Sequence, residues 1–160
     1  MMIFGYGSLL AAEFINRRNM RRIYREDELI VCNLLGYKRG WNAFCGGWRY
    51  LGVVERPNVR VNGVVFPLDL ADFDAFKDSE GFNYADCVYN FVDVTDKIDY
   101  AVPEGERVFT CVTMSPCDNQ GIVPSQYREI ILECLQIRGW DFAKDFMSLT
   151  DEDKISGQIC

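Results

Sequence analysis

The sequence predicts a mixed α+β domain, or a small barrel with helices packed outside it. Three observations carry this. Most apolar segments are short and strand-like, bounded by Gly, Pro or Asn. The clearest helical periodicity comes late, after residue 124. And 160 residues, 49% of them apolar, are the length and composition of one core-forming domain spanning 1–160.

Taken in order, residues 3–6 form a short β-type run broken by Gly5 and Gly7, and a helix is expected over 10–19. Arg17, Arg18, Arg21 and Arg22 then make a basic patch followed at once by acids, which reads as a solvated face. Segments 29–35 and 36–44 are extended, and Cys45-Gly46-Gly47 is a turn. Strands 51–55 and 59–68 are joined at Arg56-Pro57-Asn58. Residues 69–80 form a short helix with Asp69 placed to cap its start. At 100° per residue its Phe73, Phe76 and Glu80 share one face, with Asp74 and Asp78 opposite. Strands follow at 87–94 and 107–114. Pro124 and Ser125 open a helix whose Tyr127, Ile130, Ile131, Cys134 and Leu135 recur at i, i+3, i+4, i+7, i+8. Gly139 ends it, and Asp141 caps a last helix with Phe142, Phe146 and Leu149 on one side.

Composition removes several function classes. The net charge of -7 suits neither phosphate backbones nor nucleic acid as a partner. There is no histidine. That excludes Ser-His-Asp and Cys-His nucleophiles, HExxH zinc sites and imidazole proton shuttles. Proton transfer falls to a carboxylate, Tyr, Lys or Cys. The seven cysteines are odd in number and include no C-x-x-C pair, as expected of reduced thiols in a cytoplasmic protein without a zinc site. No apolar run approaches the roughly 18 residues of a membrane span, and the apolar start, residues 1–12, lacks the basic flank of a signal peptide.

Two motifs can carry chemistry. In Phe4-Gly5-Tyr6-Gly7-Ser8-Leu9-Leu10 a strand enters a glycine turn and a helix is expected to leave it. Glycines let backbone approach a ligand, and N–H groups at a helix start hold an anion or oxyanion. The bland reading is a plain strand-to-helix turn. The dinucleotide fingerprint and the nucleophile elbow both fail, since Leu10 and Tyr6 stand where glycines are required. The second motif is Glu80, followed by Gly81-Phe82-Asn83-Tyr84. On the apolar face of its helix a carboxyl is expected to be partly desolvated, with a raised pKa suited to acid–base work. At a frayed helix end it would instead be an ordinary solvated charge.

Together these motifs resemble the γ-glutamylcyclotransferase family. The resemblance runs through Tyr6-Gly7-Ser8-Leu9, Gly63-Val64-Val65-Phe66, Glu80-Gly81 and Pro124-Ser125-Gln126-Tyr127 with its Ile-rich helix. It implies a mixed β-barrel-like α+β fold with flanking helices and a substrate held at the Tyr6, Gly7, Ser8 and Leu9 loop. It also implies Glu80 as general acid/base, Tyr127 beside the substrate, and neither cofactor nor metal. The partner implied is a small γ-glutamyl amine or amino acid, released as 5-oxoproline and free amine. The best-known branch carries Asn where Leu9 stands and others carry Leu, which bears on substrate choice. The same fold as a non-catalytic small-ligand-binding module is the alternative. A thiol enzyme using Cys111 or Cys117 around Pro116 lacks a histidine to activate it. Trp41, Trp48 and Tyr50, within 39–50, are candidates for a pocket wall.

Overall fold

The computed structural model describes residues 1–82, 88–117 and 119–151. Asn83 and Tyr84, named above, and two of the seven cysteines, Cys87 and Cys160, lie outside them. The described residues form one curled five-stranded sheet with four α-helices against it. Strand β1 (Met2–Gly5) is central and wholly buried. It pairs antiparallel with β3 (Trp48–Pro67) and parallel with β5 (Val108–Thr113), so β1 has no free edge. Strands β2 (Ile30–Cys45) and β4 (Tyr89–Asp93) are the outer strands, in the order β2-β3-β1-β5-β4.

The β2–β3 hairpin turns at Gly46 and Gly47, with φ of 57° and 86°. Two left-handed residues between Cys45 and its partner Trp48 make the turn whose twist suits a hairpin. The hairpin is longer than the sequence suggests. Segments 29–35 and 36–44 are one strand, bent by irregularities at Leu35/Tyr37 and Trp41/Ala43. Segments 51–55 and 59–68 are likewise one strand. The expected break at Arg56-Pro57-Asn58 survives as an excursion in the ladder: Glu55 pairs with Tyr37 and Arg60 with Leu35, while Asn58 takes φ 65°. Pro57 has no N–H to give a ladder, so the chain bulges there without ending the strand.

Helix α1 (Ala12–Asn16) is five residues, shorter than the 10–19 expected. Residues 7–11 are turn, closed by Leu10 N–H to the Gly7 carbonyl at 3.1 Å. The first N–H of α1 is already taken: Ala12 donates to Glu26 Oε1 at 2.6 Å. The glycine loop therefore does not present a helix N-terminus to a ligand. Helix α2 (Phe73–Ser79) follows a 3₁₀ turn at Leu70–Asp72. Asp69 makes no side-chain cap. The buried Asp72 instead accepts the backbone N–H groups of Arg21 and Arg22 at 2.7 and 3.0 Å, tying the arginine loop to α2.

Helix α3 (Ser125–Arg138) fits the sequence periodicity, burying Ile131, Cys134 and Leu135. Ile131 and Leu135 each contribute about 1.5–3 kcal/mol by leaving water. Gly139, at φ 90°, separates it from α4 (Trp140–Ser148). Asp141 lies in the first turn of α4 and does not cap it; Gly139 occupies the cap position with no side chain to offer. No described helix is long and apolar enough to cross a membrane.

Candidate active site

Where β1 ends, the chain turns through Tyr6 to Leu9 beneath α3. Here Tyr6, Gly7, Ser8, Leu9, Glu80 and Tyr127 line one cavity, joined by Phe4, Leu51, Tyr89 and Cys111. β1 supplies the loop, α2 brings Glu80 at its C-terminal end, and the first turns of α3 lay Tyr127 across the top. The free volume is about 30 Å³, more than the roughly 10–15 Å³ that a single water needs. Two larger depressions, about 440 and 500 Å³, are open to solvent. Their arginines already have carboxylate partners, Arg107 on Asp93 and Arg60 on Asp145.

Gly7 is needed for a steric reason. A Cβ there would lie 3.0 Å from the Tyr127 hydroxyl. Three phenols surround the loop. Tyr6 donates to the Cys111 carbonyl at 2.7 Å and Tyr89 to the Leu51 carbonyl at 3.0 Å. Burial pushes the hydroxyls of Tyr6, Tyr89 and Tyr127 well above the usual tyrosine value, so all three stay neutral at physiological pH. Behind the loop Arg39, fully buried, donates to the carbonyls of Tyr6, Asn62 and Phe146 at 3.3, 2.8 and 3.1 Å. It also donates to Asn62 Oδ1 and Thr150 Oγ1 and lies over the Phe146 ring. Burial pulls its pKa down. Those five acceptors favour the charged guanidinium, so we read it as cationic.

Glu80 is only 15% exposed in its side chain and stands at the C-cap of α2, one turn after the buried Phe76. Its surroundings are not purely apolar, as the helix face alone suggested. Arg18 Nε donates to Glu80 Oε1 at 3.0 Å, and Arg18 Nη2 donates to Ser8 Oγ at 2.8 Å. The expectation that residues 17–22 form a solvated basic face therefore fails at Arg18. Arg17 and Arg21 are exposed, whereas Arg18 turns inward under the glycine loop. A guanidinium there balances a carboxylate that burial would otherwise leave uncompensated. The sequence does not single out Arg18 or Tyr89, and it offers Cys111, which lines the cavity, only as a thiol nucleophile. Neither β4 nor β5 alternates cleanly, so nothing local shows what Tyr89 and Cys111 face.

None of the three aromatics expected in a pocket wall lines the cavity itself. Trp41 and Tyr50 meet the Tyr127 ring edge-on, with centroids at 6.1 and 5.1 Å, while Trp48 is 45% exposed. Cys111 is buried in β5, and Cys117 lies in a loop. Among the described residues no three Cys, Asp or Glu side chains gather as a metal site.

A curled sheet with the glycine loop at the end of its central strand defines the γ-glutamylcyclotransferase-like fold. A solved gamma-glutamyl cyclotransferase superposes with a TM-score of 0.66 at 18% identity, covering 95% of this chain and 89% of that one. An uncharacterized protein from Homo sapiens gives 0.66 at 19% identity, with the same coverage. YkqA from Bacillus subtilis gives 0.62 at 15%, covering 95% of this chain and 56% of that one. At these identities the likeness is one of fold. No protein-family model matches the sequence, and no curated protein sequence matches it.

Proposed function

We propose that this protein is a γ-glutamylcyclotransferase acting on a γ-glutamyl amine or γ-glutamyl amino acid. The observation that carries the reading is the meeting of Glu80 with Ser8 and the Gly7–Leu9 turn in one buried cavity, across 72 residues of sequence. Glu80 is the catalytic carboxylate. It accepts a proton from the α-ammonium of the substrate. The freed amine attacks the γ-carbonyl carbon, a C–N bond closes the five-membered ring, and the γ-amide bond breaks. Glu80 returns that proton to the leaving nitrogen, the ring nitrogen sheds its second proton to the departing amine, and the products are 5-oxoproline and the amine as its ammonium ion. The attack is intramolecular, so the protein need supply no nucleophile. Ser8 and the backbone of Gly7 to Leu9 hold the substrate carboxylate or the developing oxyanion, and Tyr6 and Tyr127 frame the glutamyl chain. No step calls for a cofactor or metal, and we place the enzyme in the cytoplasm.

The second reading is a binding module of the same fold without turnover, with a ligand held at the same Ser8 and Glu80 cavity. The experiment is 5-oxoproline release from a panel of γ-glutamyl amino acids and amines by wild type and Glu80→Gln. Gln keeps the shape and cannot take the proton, so the rate should fall at least about 10²- to 10⁴-fold. A variant retaining more than about a tenth of the rate removes Glu80 as proton carrier. A wild type that binds 5-oxoproline and releases none from any substrate leaves the binding module.

A further inference from the structure

Arg18 has the geometry of a part of the site, yet it is not among the residues lining the cavity. Its side chain, 13% exposed, distributes three nitrogens over three partners. Nη1 donates to the Phe14 carbonyl on α1, Nε to Glu80 Oε1, and Nη2 to Ser8 Oγ. The guanidinium is planar and rigid, so fixing one nitrogen on the α1 backbone fixes the direction of the other two.

Hydrogen-bond polarity then decides what Ser8 and Glu80 can offer. Ser8 Oγ accepts from a cation that has no proton to take back. Its own hydroxyl hydrogen must point elsewhere, and the cavity that Ser8 lines is where a ligand oxygen would meet it. Glu80 has Oε1 engaged, which leaves Oε2 as the acceptor for an incoming proton. We propose that Arg18 is a positioning residue that sets Ser8 as a donor and Glu80 as an acceptor toward the same substrate. The role rests on the cyclotransferase reading, but the geometry it requires can be examined without turnover.

The experiment compares wild type, R18M, R18K, E80Q and R18M/E80Q, with crystal structures of wild type and the Arg18 variants. Arg18 does not touch substrate, so R18M should lower kcat about 10²-fold, the cost of misplacing a reacting group, and raise KM by the smaller amount that a displaced Ser8 costs in ground-state binding. In the E80Q background the same change should cost less than about tenfold, because most of its effect passes through Glu80. R18K keeps the charge but presents one ammonium where two diverging donors are required, so it should recover less than about a tenth of the wild-type rate. In the variant crystals the Ser8 and Glu80 side chains should leave their wild-type orientations. R18K carries the comparison if R18M does not fold. The proposal is overturned if R18M keeps kcat within about threefold of wild type, if R18K restores it, or if the R18M and E80Q losses simply multiply. Should wild type release no 5-oxoproline at all, the cyclotransferase reading falls, and the crystal structures alone decide. Ser8 and Glu80 unmoved without Arg18 would end the positioning role.

Discussion

At the scale of single residues, the close approach of Gly7 to Tyr127 gives a direct test of how tightly the loop is packed. A Cβ at residue 7 would sit 3.0 Å from the phenol oxygen, so Gly7→Ala must push Tyr127 away by a few tenths of an ångström. We expect Gly7→Ala to lower 5-oxoproline release about 10- to 100-fold with little change in melting temperature. Tyr127→Phe alone should be milder, since it removes no proton route. The double variant should be faster than Gly7→Ala, because the offending oxygen is gone; steady-state rates of the three variants decide it. Glu80→Gln has a second consequence here. Before its partner is known, the amide looks like relief of a buried charge. With Arg18 at 3.0 Å, it leaves a guanidinium facing a neutral group. We expect a loss of about 1–3 kcal/mol in urea unfolding, and a variant as stable as wild type would mean that the ion pair contributes nothing.

Among elements, the joint between the arginine loop and α2 is electrostatic. Two backbone N–H groups on Asp72 hold its carboxyl below the usual carboxylate range. A group with a depressed folded pKa stabilises above its unfolded value, near 4, and loses that contribution as pH falls through the folded value. Asp72→Ala should therefore melt below wild type at pH 7, and the gap should narrow as pH drops from about 5 toward 3; a gap constant over that range contradicts it. The thiols divide by element too. Burial pushes Cys32 on β2 and Cys134 on α3 up to about 12, so neither forms thiolate at pH 8. Among the described cysteines, Cys117, in a loop and partly exposed, should alkylate before Cys32 and Cys134, which react only on unfolding. Mass spectrometry of briefly labelled native protein reads the order.

For the molecule as a whole, Arg39 is the joint between sheet, loop and C-terminal helix. It is fully buried and its guanidinium satisfies carbonyls of Tyr6, Asn62 and Phe146, which come from three separate stretches of chain. Removing it strands several buried acceptors at about 1–3 kcal/mol each. Arg39→Met should cost at least about 3 kcal/mol in urea unfolding. Arg39→Lys should recover less than half, since one ammonium cannot reach five acceptors. A loss under about 1 kcal/mol would show that the loop and α4 are held by apolar packing alone.

The sequence by itself determined what depends on neighbours within a few residues. Tyr127, Ile131, Cys134 and Leu135 mark one face of α3 because helical periodicity is local. Gly46 and Gly47 mark the hairpin because only glycine takes two left-handed positions cheaply. The lack of histidine limits the chemistry whatever the fold. Tertiary structure alone decided the rest. Whether Arg56-Pro57-Asn58 ends a strand or bulges within one depends on the partner strand, which pairs on both sides of the excursion. Whether Asp69 or Asp72 anchors α2 depends on which one meets the N–H groups of Arg21 and Arg22, some 50 residues away. Arg18 and its exposed neighbour Arg17 differ in nothing that sequence displays. A charge can be balanced by water or by a distant partner, and only the chain's return 62 residues later brings Glu80 to settle which.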